Sequence, residues 1–210
     1  MPADIGFPLT FEHVQSAPSH DLLAAIGSWI DRVNPTCLVH PHGFFVVLLD
    51  RSEARDWRFH FWPKGPRTLT SMPAMVHTHD KVVESRIIQG ELHDILYDVT
   101  DVGTGGQPIY EVEYRGDKYV KSTSNILRRT ASRARTSVST ARTLKAGSCY
   151  RIEAHAYHEA AVSEGAATAT IVCMHSQSPG TVKVLGLDGY PERIEFHRSE
   201  LSTRECIDFT

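Results

Sequence analysis

Hydrophobic and polar residues alternate along most of the chain, the pattern of strands that bury one face. In the run WRFHFW, one face carries three aromatic residues, Trp57, Phe59 and Phe61, and the other carries Arg58, His60 and Trp62. Similar runs recur at GFFVVLLD, ESRIIQG, ELHDILYDV and TATIVCMH, and PIYEVEYRGDKYV is typical of a hairpin with its turn at Arg115-Gly116-Asp117. Short strands at this frequency predict an all-β barrel or sandwich.

One stretch near the N-terminus has helical spacing instead. Its apolar residues recur at intervals of three and four, at Leu22, Leu23, Ile26, Trp29, Ile30 and Val33. Asn34-Pro35 ends the pattern, and the three prolines among residues 1–18 predict an extended arm before it. We therefore expect residues 1–35 to form an arm and a short helix packed on a β-barrel of residues 36–210.

Composition narrows the class of protein. The 210 residues are 41% hydrophobic and 22% charged, with a net charge of -3, as in an ordinary globular domain. This balance gives no global reason to expect nucleic acid or an anionic membrane as a partner. The chain has no long apolar run, its first residues lack the features of a secretion signal, and its four cysteines form no CxxC pair. We expect a cytoplasmic protein with free thiols.

The segment from Ser122 to Gly147 departs from the alternating pattern. It is rich in Ser and Thr, contains no acidic residue, and carries six basic residues: Arg128, Arg129, Arg133, Arg135, Arg142 and Lys145. One interpretation is a solvated insertion in the barrel. The other is a local basic surface for an anionic substrate, phosphate or nucleic acid, of which nucleic acid is the weaker choice because no aromatic residues are interleaved for base stacking.

The run VHTHD offers candidate metal ligands. His77 and His79 are two apart, so a strand here would point both imidazoles to the same side, and Glu84 follows five residues later. Such a donor set suits iron, manganese, nickel or zinc. His40 and His42 have the same spacing, but Pro41 separates them and no acid follows within a turn, which favours a histidine-rich strand or turn.

These residues resemble the first motif of the cupin superfamily, G(x)5HxH(x)3-4E(x)6G. His77, His79 and Glu84 occupy the ligand positions and Gly90 falls one residue early, while Ser71, Met72 and Pro73 stand where the leading glycine would fall. The second motif is similar to AGSCYRIEAHAYHEA, in which Gly147 opens the turn and His158 matches the ligand position better than His155. The resemblance extends over residues 44–178 and implies a cupin jelly-roll barrel.

Within cupins, VHTHDKVVESRIIQGELHDILYDV is most similar to thiol dioxygenases of the cysteine dioxygenase type. That resemblance implies Fe(II) held by His77, His79 and His158, and oxidation of a small substrate with O2. Three departures argue against cysteine as the substrate. Glu84 stands at a position the subfamily leaves without a ligand, Val46 replaces the expected carboxylate-binding arginine, and the expected Ser-x-His-x-Tyr set is not kept at Ile171, Cys173 and His175.

Other side chains are candidates for substrate binding or proton transfer beside the metal. Arg86 shares a strand face with Glu84, so alternation points it into the lumen, where its guanidinium can bind a carboxylate. It can equally pair with Glu84 or lie outside the barrel. Tyr150, His155 and His175 are candidate proton donors.

The sequence thus predicts a mononuclear metal protein with a small-molecule substrate. The favoured hypothesis is an Fe(II)-dependent dioxygenase acting on a small metabolite that bears a thiol or a carboxylate. A redox-neutral enzyme (an isomerase, lyase or hydrolase) that uses manganese, nickel or zinc is the alternative among enzymes. A non-catalytic cupin that binds a small ligand is the alternative outside them. The resemblance also suggests a homodimer formed by strand exchange.

Overall fold

The protein is described here from a computed structural model, which describes residues 4–67, 74–114 and 124–207. The helices are α1 (Phe11–Ser16), α2 (Ser19–Val33) and α3 (Thr203–Cys206). The strands are β1 (Thr36–His40), β2 (Phe44–Arg51), β3 (Arg55–Trp62), β4 (Val82–Gln89), β5 (Glu91–Val102), β6 (Gln107–Tyr114), β7 (Ser124–Lys145), β8 (Cys149–Ile152), β9 (Tyr157–Val162), β10 (Thr168–His175), β11 (Lys183–Leu185), β12 (Arg193–His197) and β13 (Glu200–Ser202).

The strands form two antiparallel sheets. The first has the order β13-β1-β2-β3-β10-β4-β8, and the second has the order β11-β6-β7-β5-β9, with β12 also paired to β7. Two antiparallel sheets with strands that cross from one to the other make a jelly roll. The prediction of an all-β jelly-roll barrel is confirmed.

The outer face of the first sheet is covered by the N-terminal helices. Trp57, Phe59 and Phe61 of β3 are almost completely buried in one core with Ile26 and Trp29 of α2. The predicted helix therefore exists and packs on the barrel wall. The arm before it is not wholly extended, because Thr10 caps the short helix α1 through a hydrogen bond from His13 N to Thr10 Oγ1.

The inner face of the first sheet bounds the interior of the barrel. Phe44, Val46 and Trp62 are buried there and pack with Ile87 and Leu92. Gly90 carries the chain from β4 in the first sheet to β5 in the second, with φ +73°. Any side chain at this position would collide with the Ala167 carbonyl, so the tight crossing requires glycine.

Most of residues 122–147 form a strand of the second sheet and not an insertion in the barrel, although much of this strand is solvated, as one of the two interpretations expected. Apart from its first two residues, which lie outside the described part, and Ala146-Gly147 at its end, the segment is the 22-residue strand β7. It pairs with β5 along one stretch and with β6 along another. Asn125, Ile126 and Leu127 near its start are buried, whereas residues 135–143 are all exposed. Its Thr residues are β-branched, which favours a strand.

The acidic partners of the β7 arginines come from other elements. Arg128 Nε lies 2.5 Å from Glu113 Oε1, and Arg129 Nη1 lies 3.1 Å from Glu192 Oε1. Arg133 Nη2 lies 3.2 Å from Asp188 Oδ1, and Arg142 Nη2 lies 2.8 Å from Asp94 Oδ2. Glu113 and Asp94 lie on the neighbouring strands β6 and β5, and Asp188 and Glu192 lie in the connection between β11 and β12. These pairs neutralise much of the charge that the local sequence shows.

Two features named from the sequence fall outside the described residues. They are the Arg115-Gly116-Asp117 turn and the Ser71-Met72-Pro73 stretch where a motif glycine was expected. Within the described ranges, no helix combines the length and apolar character needed to cross a bilayer.

Candidate metal centre

Three histidines from distant parts of the chain converge inside the barrel. One ligand atom from each of His77, His79 and His158 lies within 4.8 Å of the others, and this is the sole group of three or more His, Cys, Asp or Glu ligand atoms found in the described ranges. His158 comes from β9, and the other two come from the extended segment before β4.

Backbone hydrogen bonds hold that segment in register. His77 N donates to His158 O at 3.0 Å, and His158 N donates to His77 O at 2.9 Å. His77 also bridges to Val184 of β11, so the segment joins the two outermost strands of the second sheet. Thr78 points to the opposite side, where its Oγ1 accepts a hydrogen bond from Lys183 N at 2.9 Å. The alternation predicted for VHTHD therefore places both imidazoles inside.

The ring nitrogens fit a metal ion. Nδ1 of His77 lies 2.8 Å from the Met75 carbonyl oxygen, which fixes the proton on Nδ1 and leaves Nε2 as a donor. Both ring nitrogens of His158 are buried without a hydrogen-bond partner among the described residues. Leaving such atoms unsatisfied costs about 1–3 kcal/mol each, a cost that coordination would offset.

The electrostatics also favour coordination. Burial lowers the pKa of His77, and it lowers the pKa values of His79 and His158 well below 6.5. A charge on His77 would lower the last two further. The imidazoles are therefore neutral at pH 7, the state in which a histidine binds metal.

The three histidines face a small chamber with a cavity volume of about 70 Å³. Its walls are mostly aromatic and apolar, with Phe44, Trp62, Val83 and Met174 among them. An adjoining cavity of about 70 Å³ shares His77 and His79 with it. Three residues that the sequence interpretation did not single out for the site line the chamber: Arg58, His60 and Arg198. The first two share the face of β3 opposite Trp57, and that polar face was the available signal.

The second pair of histidines lies in the same chamber wall. The His42 ring centroid is 4.8 Å from that of His77, and His40 stacks on Phe44 at 4.2 Å. His40 Nδ1 accepts a hydrogen bond from His42 N, which ties the pair into the turn around Pro41. These two residues do not join the convergent group, so the turn interpretation agrees with the structure.

Glu84 is not placed beside the three histidines. Glu84 Oε1 lies 2.6 Å from Arg151 Nη1 and 3.4 Å from His175 Nε2. A bend at Asp80 and Lys81 separates the histidine segment from β4, which belongs to the other sheet. The motif resemblance implied a ligand at Glu84, but its carboxylate does not join the three histidines, so this expectation is wrong.

The lumen orientation expected for Arg86 is also wrong. Its guanidinium donates hydrogen bonds to the Val14 carbonyl oxygen and to Ser19 Oγ, which lie on the N-terminal helices. Arg86 instead lines a cavity of about 390 Å³ between α1 and the first sheet. That cavity is the larger one, but none of the three convergent histidines lines it.

The candidate proton donors lie in three different places. Tyr150 lines both the chamber and the outer cavity, and burial raises the pKa of its phenol to about 12. His175 packs edge-on against Phe11 at 5.3 Å on the helix side. His155 lines a separate surface cavity with Gly180. Of the three, Tyr150 alone is among the residues that line the chamber.

Comparison with known proteins yields similarities to solved structures only. No protein-family model matches the chain, and no curated protein matches it. An RmlC-like cupin from Shewanella frigidimarina is 15% identical with a TM-score of 0.35, over 64% of this chain and 77% of that one. KdgF from Halomonas sp. is 12% identical with a TM-score of 0.33, over 64% and 82%. Fe(II)-HppE with the alternative substrate (S)-1-HPP is 13% identical with a TM-score of 0.40, over 80% and 76%. The fold class rests on the strand pairing described above.

Proposed function

We propose that His77, His79 and His158 bind one divalent metal ion and that the protein is a metal-dependent enzyme. The observation that carries this proposal is the convergence of three neutral imidazoles, one of them with both nitrogens buried and unpartnered among the described residues. A buried polar group without a partner is unusual in a folded protein, and a metal ion is its simplest partner here.

Fe(II) is the metal we favour, with Mn, Ni or Zn as alternatives, because imidazole suits each of these ions. Three protein ligands without a carboxylate leave coordination positions open, and a bound metal would supply the place where a small substrate and O2 meet. On this basis we propose an Fe(II)-dependent dioxygenase of a small metabolite. The resemblance of the VHTHD region to thiol dioxygenases points in the same direction.

The protein's own residues would confine and protonate the substrate. Phe44, Trp62 and Met174 exclude bulk water from the chamber, which strengthens electrostatic interactions inside it. The Tyr150 phenol is protonated at neutral pH, as an ordinary tyrosine is, and burial, which raises its pKa to about 12, disfavours the phenolate further. We assign it the role of proton donor to the substrate.

Oxygen consumption tests this function. Protein loaded anaerobically with Fe(II) is mixed with panels of small thiols and carboxylic acids, and O2 uptake and product are measured together. We expect O2 uptake in proportion to product for one substrate class, and His158→Ala should abolish it. His20→Ala is the matched control, since the His20 side chain is 84% exposed on α2.

Two results would contradict a dioxygenase. Iron-loaded protein that never consumes O2 across the panels would do so, as would turnover that persists without O2 or with Zn in place of Fe. The latter result would favour the redox-neutral alternative. Unchanged ligand binding by His79→Ala with no turnover would favour a non-catalytic binding protein.

A further inference from the structure

Two arginines from distant parts of the chain line the chamber. Arg58 lies on β3 of the first sheet, and Arg198 follows β12 of the second. Both line the chamber and the cavity that adjoins it, in each case together with His77 and His79. Arginine is seldom buried unless an anion satisfies it, so two such side chains in one small space require an explanation.

The acidic groups beside Arg58 are shared among several cations. Arg58 Nη2 lies 3.2 Å from Asp56 Oδ2, and the same carboxylate lies 3.0 Å from Lys81 Nζ and 3.7 Å from Arg51 Nε. The Asp56 carboxylate is therefore within ion-pair distance of three basic side chains, and Asp80 is a second acidic residue that lines the adjoining cavity. Burial, with a smaller effect from the charge of Arg198, lowers the pKa of Arg58 to about 10 even though Asp56 acts in the opposite direction.

Arg198 has an unsatisfied donor. Its Nε is buried and makes no hydrogen bond to any atom of the described residues. Burial lowers the pKa of this guanidinium as well. A buried charged donor without an acceptor is costly, and the guanidinium fork matches the two oxygens of a carboxylate.

We propose that Arg198, assisted by Arg58, binds the carboxylate of a small organic acid in the chamber beside the three histidines. This proposal names a substrate class for the proposed function. It rests on that function only for the claim that the bound acid is a substrate. Each of the two cavities has a volume of about 70 Å³, which limits the ligand to a few heavy atoms. The buried Arg198 Nε–H, which has no acceptor among the described residues, favours an anionic ligand over neutral and cationic compounds of the same shape.

The carboxylate role expected for Arg86 thereby passes to residues on other strands. Arg86 is held by the Val14 carbonyl and Ser19 on the helix side. Arg58 and Arg198 instead line the chamber that contains the three histidines. A carboxylate bound there would orient the rest of a small acid within the chamber that also holds Tyr150.

Metal-free protein is titrated with sodium acetate at constant ionic strength, and with acetamide as a neutral molecule of the same shape. Nitrogen-15 NMR follows the backbone amides and the Arg198 side-chain Nε–H, whose signal is assigned by its loss in Arg198→Gln. We expect acetate to shift the Nε–H signal and acetamide to leave it in place. Arg198→Gln should weaken acetate binding by about tenfold or more, as for a charge-assisted bidentate pair.

Arg193→Gln is the matched control, because Arg193 is an exposed residue of β12 that pairs with Glu195 at 2.8 Å. It should bind acetate as the unchanged protein does. Should Arg198→Gln fail to fold, Arg198→Lys keeps the charge and removes the planar fork, and we expect it to bind acetate at least about threefold more weakly. Acetate affinity within twofold of wild type in the folded Gln or Lys variant overturns the proposal, as does equal binding of acetamide.

Metal content separates this proposal from the function it refines. Arg198→Gln should retain the metal stoichiometry of the unchanged protein. If the unchanged protein binds no metal yet binds acetate through Arg198, the proposed function fails and the anion site stands. If it binds metal and acetate binding does not depend on Arg198, the anion site fails and the metal centre stands.

Discussion

Two histidine pairs with identical spacing have different surroundings in this protein. Both His40-Pro41-His42 and His77-Thr78-His79 direct imidazoles into one chamber. The first pair lies at the end of β1 and in the turn after it, and His42 N donates to His40 Nδ1. The second pair lies in an extended segment that is hydrogen-bonded to β9, which brings His158 into reach.

The difference shows that the third ligand decides the site. A pair two residues apart supplies two donors on one side of an extended segment, whichever pair it is. Only His77 and His79 have a partner strand that carries a histidine in register. We therefore expect His77 and His79 to bind metal and His40 and His42 not to bind it.

Removal of the third ligand should have the largest effect. We expect His158→Ala to lower metal affinity by more than about 100-fold, because loss of a residue that merely orients a ligand already costs about 10- to 100-fold. Elemental analysis after dialysis against a weak chelator measures this. His20→Ala should bind metal normally, and metal retention by His158→Ala would show that the convergent group is not the site.

Acid should destabilise the folded protein through His60, a buried histidine in the chamber wall. Burial lowers the pKa of His60 from 6.5 to about 3, so the unfolded chain binds a proton between these pH values that the folded chain does not. Stability is thus unaffected above pH 6.5 and falls as the pH drops below it, by up to about 1.4 kcal/mol per pH unit for each such group.

Urea unfolding of the metal-free protein between pH 7.5 and 4.5 measures this dependence. His60→Gln should flatten it, whereas His20→Gln, a change at an exposed histidine, should not. An identical pH slope for His60→Gln and the unchanged protein would refute the buried, neutral state assigned to His60.

His42→Ala should separate stability from metal binding. His42 is 3% exposed and hydrogen-bonds to the Ala74 backbone, so its loss should cost about 1–3 kcal/mol of unfolding free energy. The metal stoichiometry should not change, since this imidazole is outside the convergent group. Thermal unfolding and elemental analysis on the same sample check both; loss of metal would make His42 a ligand.

Glu84→Gln should have the smallest effect. The carboxylate pairs with Arg151, whose side chain is 48% exposed, and such pairs contribute at most about 1 kcal/mol. Metal content should equal that of the unchanged protein. A fall in metal content would restore Glu84 as a ligand and require β4 to turn its other face inward.

Local patterns predicted local structure well. The spacing of Leu22, Ile26 and Trp29 gave α2, and the alternation at Trp57, Phe59 and Phe61 gave the buried face of β3. The side shared by His77 and His79 followed from the same period of two. Each of these depends on a few consecutive residues whose backbone is regular.

Relations between segments were harder to predict. Glu84 was misplaced because the resemblance to the cupin motif assigned it by residue count, whereas the bend at Asp80 and Lys81 leads into β4 of the other sheet, where the Glu84 carboxylate pairs with Arg151. The segment of β7 was interpreted as a solvated insertion or a basic surface because the acids that pair with Arg128 and Arg142 lie on other strands, β6 and β5. Arg198 gave no signal, since its position in the chamber depends on how β12 pairs with β7.

A crystal structure of the metal-loaded protein, with anomalous diffraction recorded at the iron absorption edge, tests the central claim most directly. We expect one anomalous peak at about 2.0–2.2 Å from an imidazole nitrogen of each of His77, His79 and His158. Glu84 should still be paired with Arg151. A peak elsewhere, or one bound without His158, would contradict the central claim.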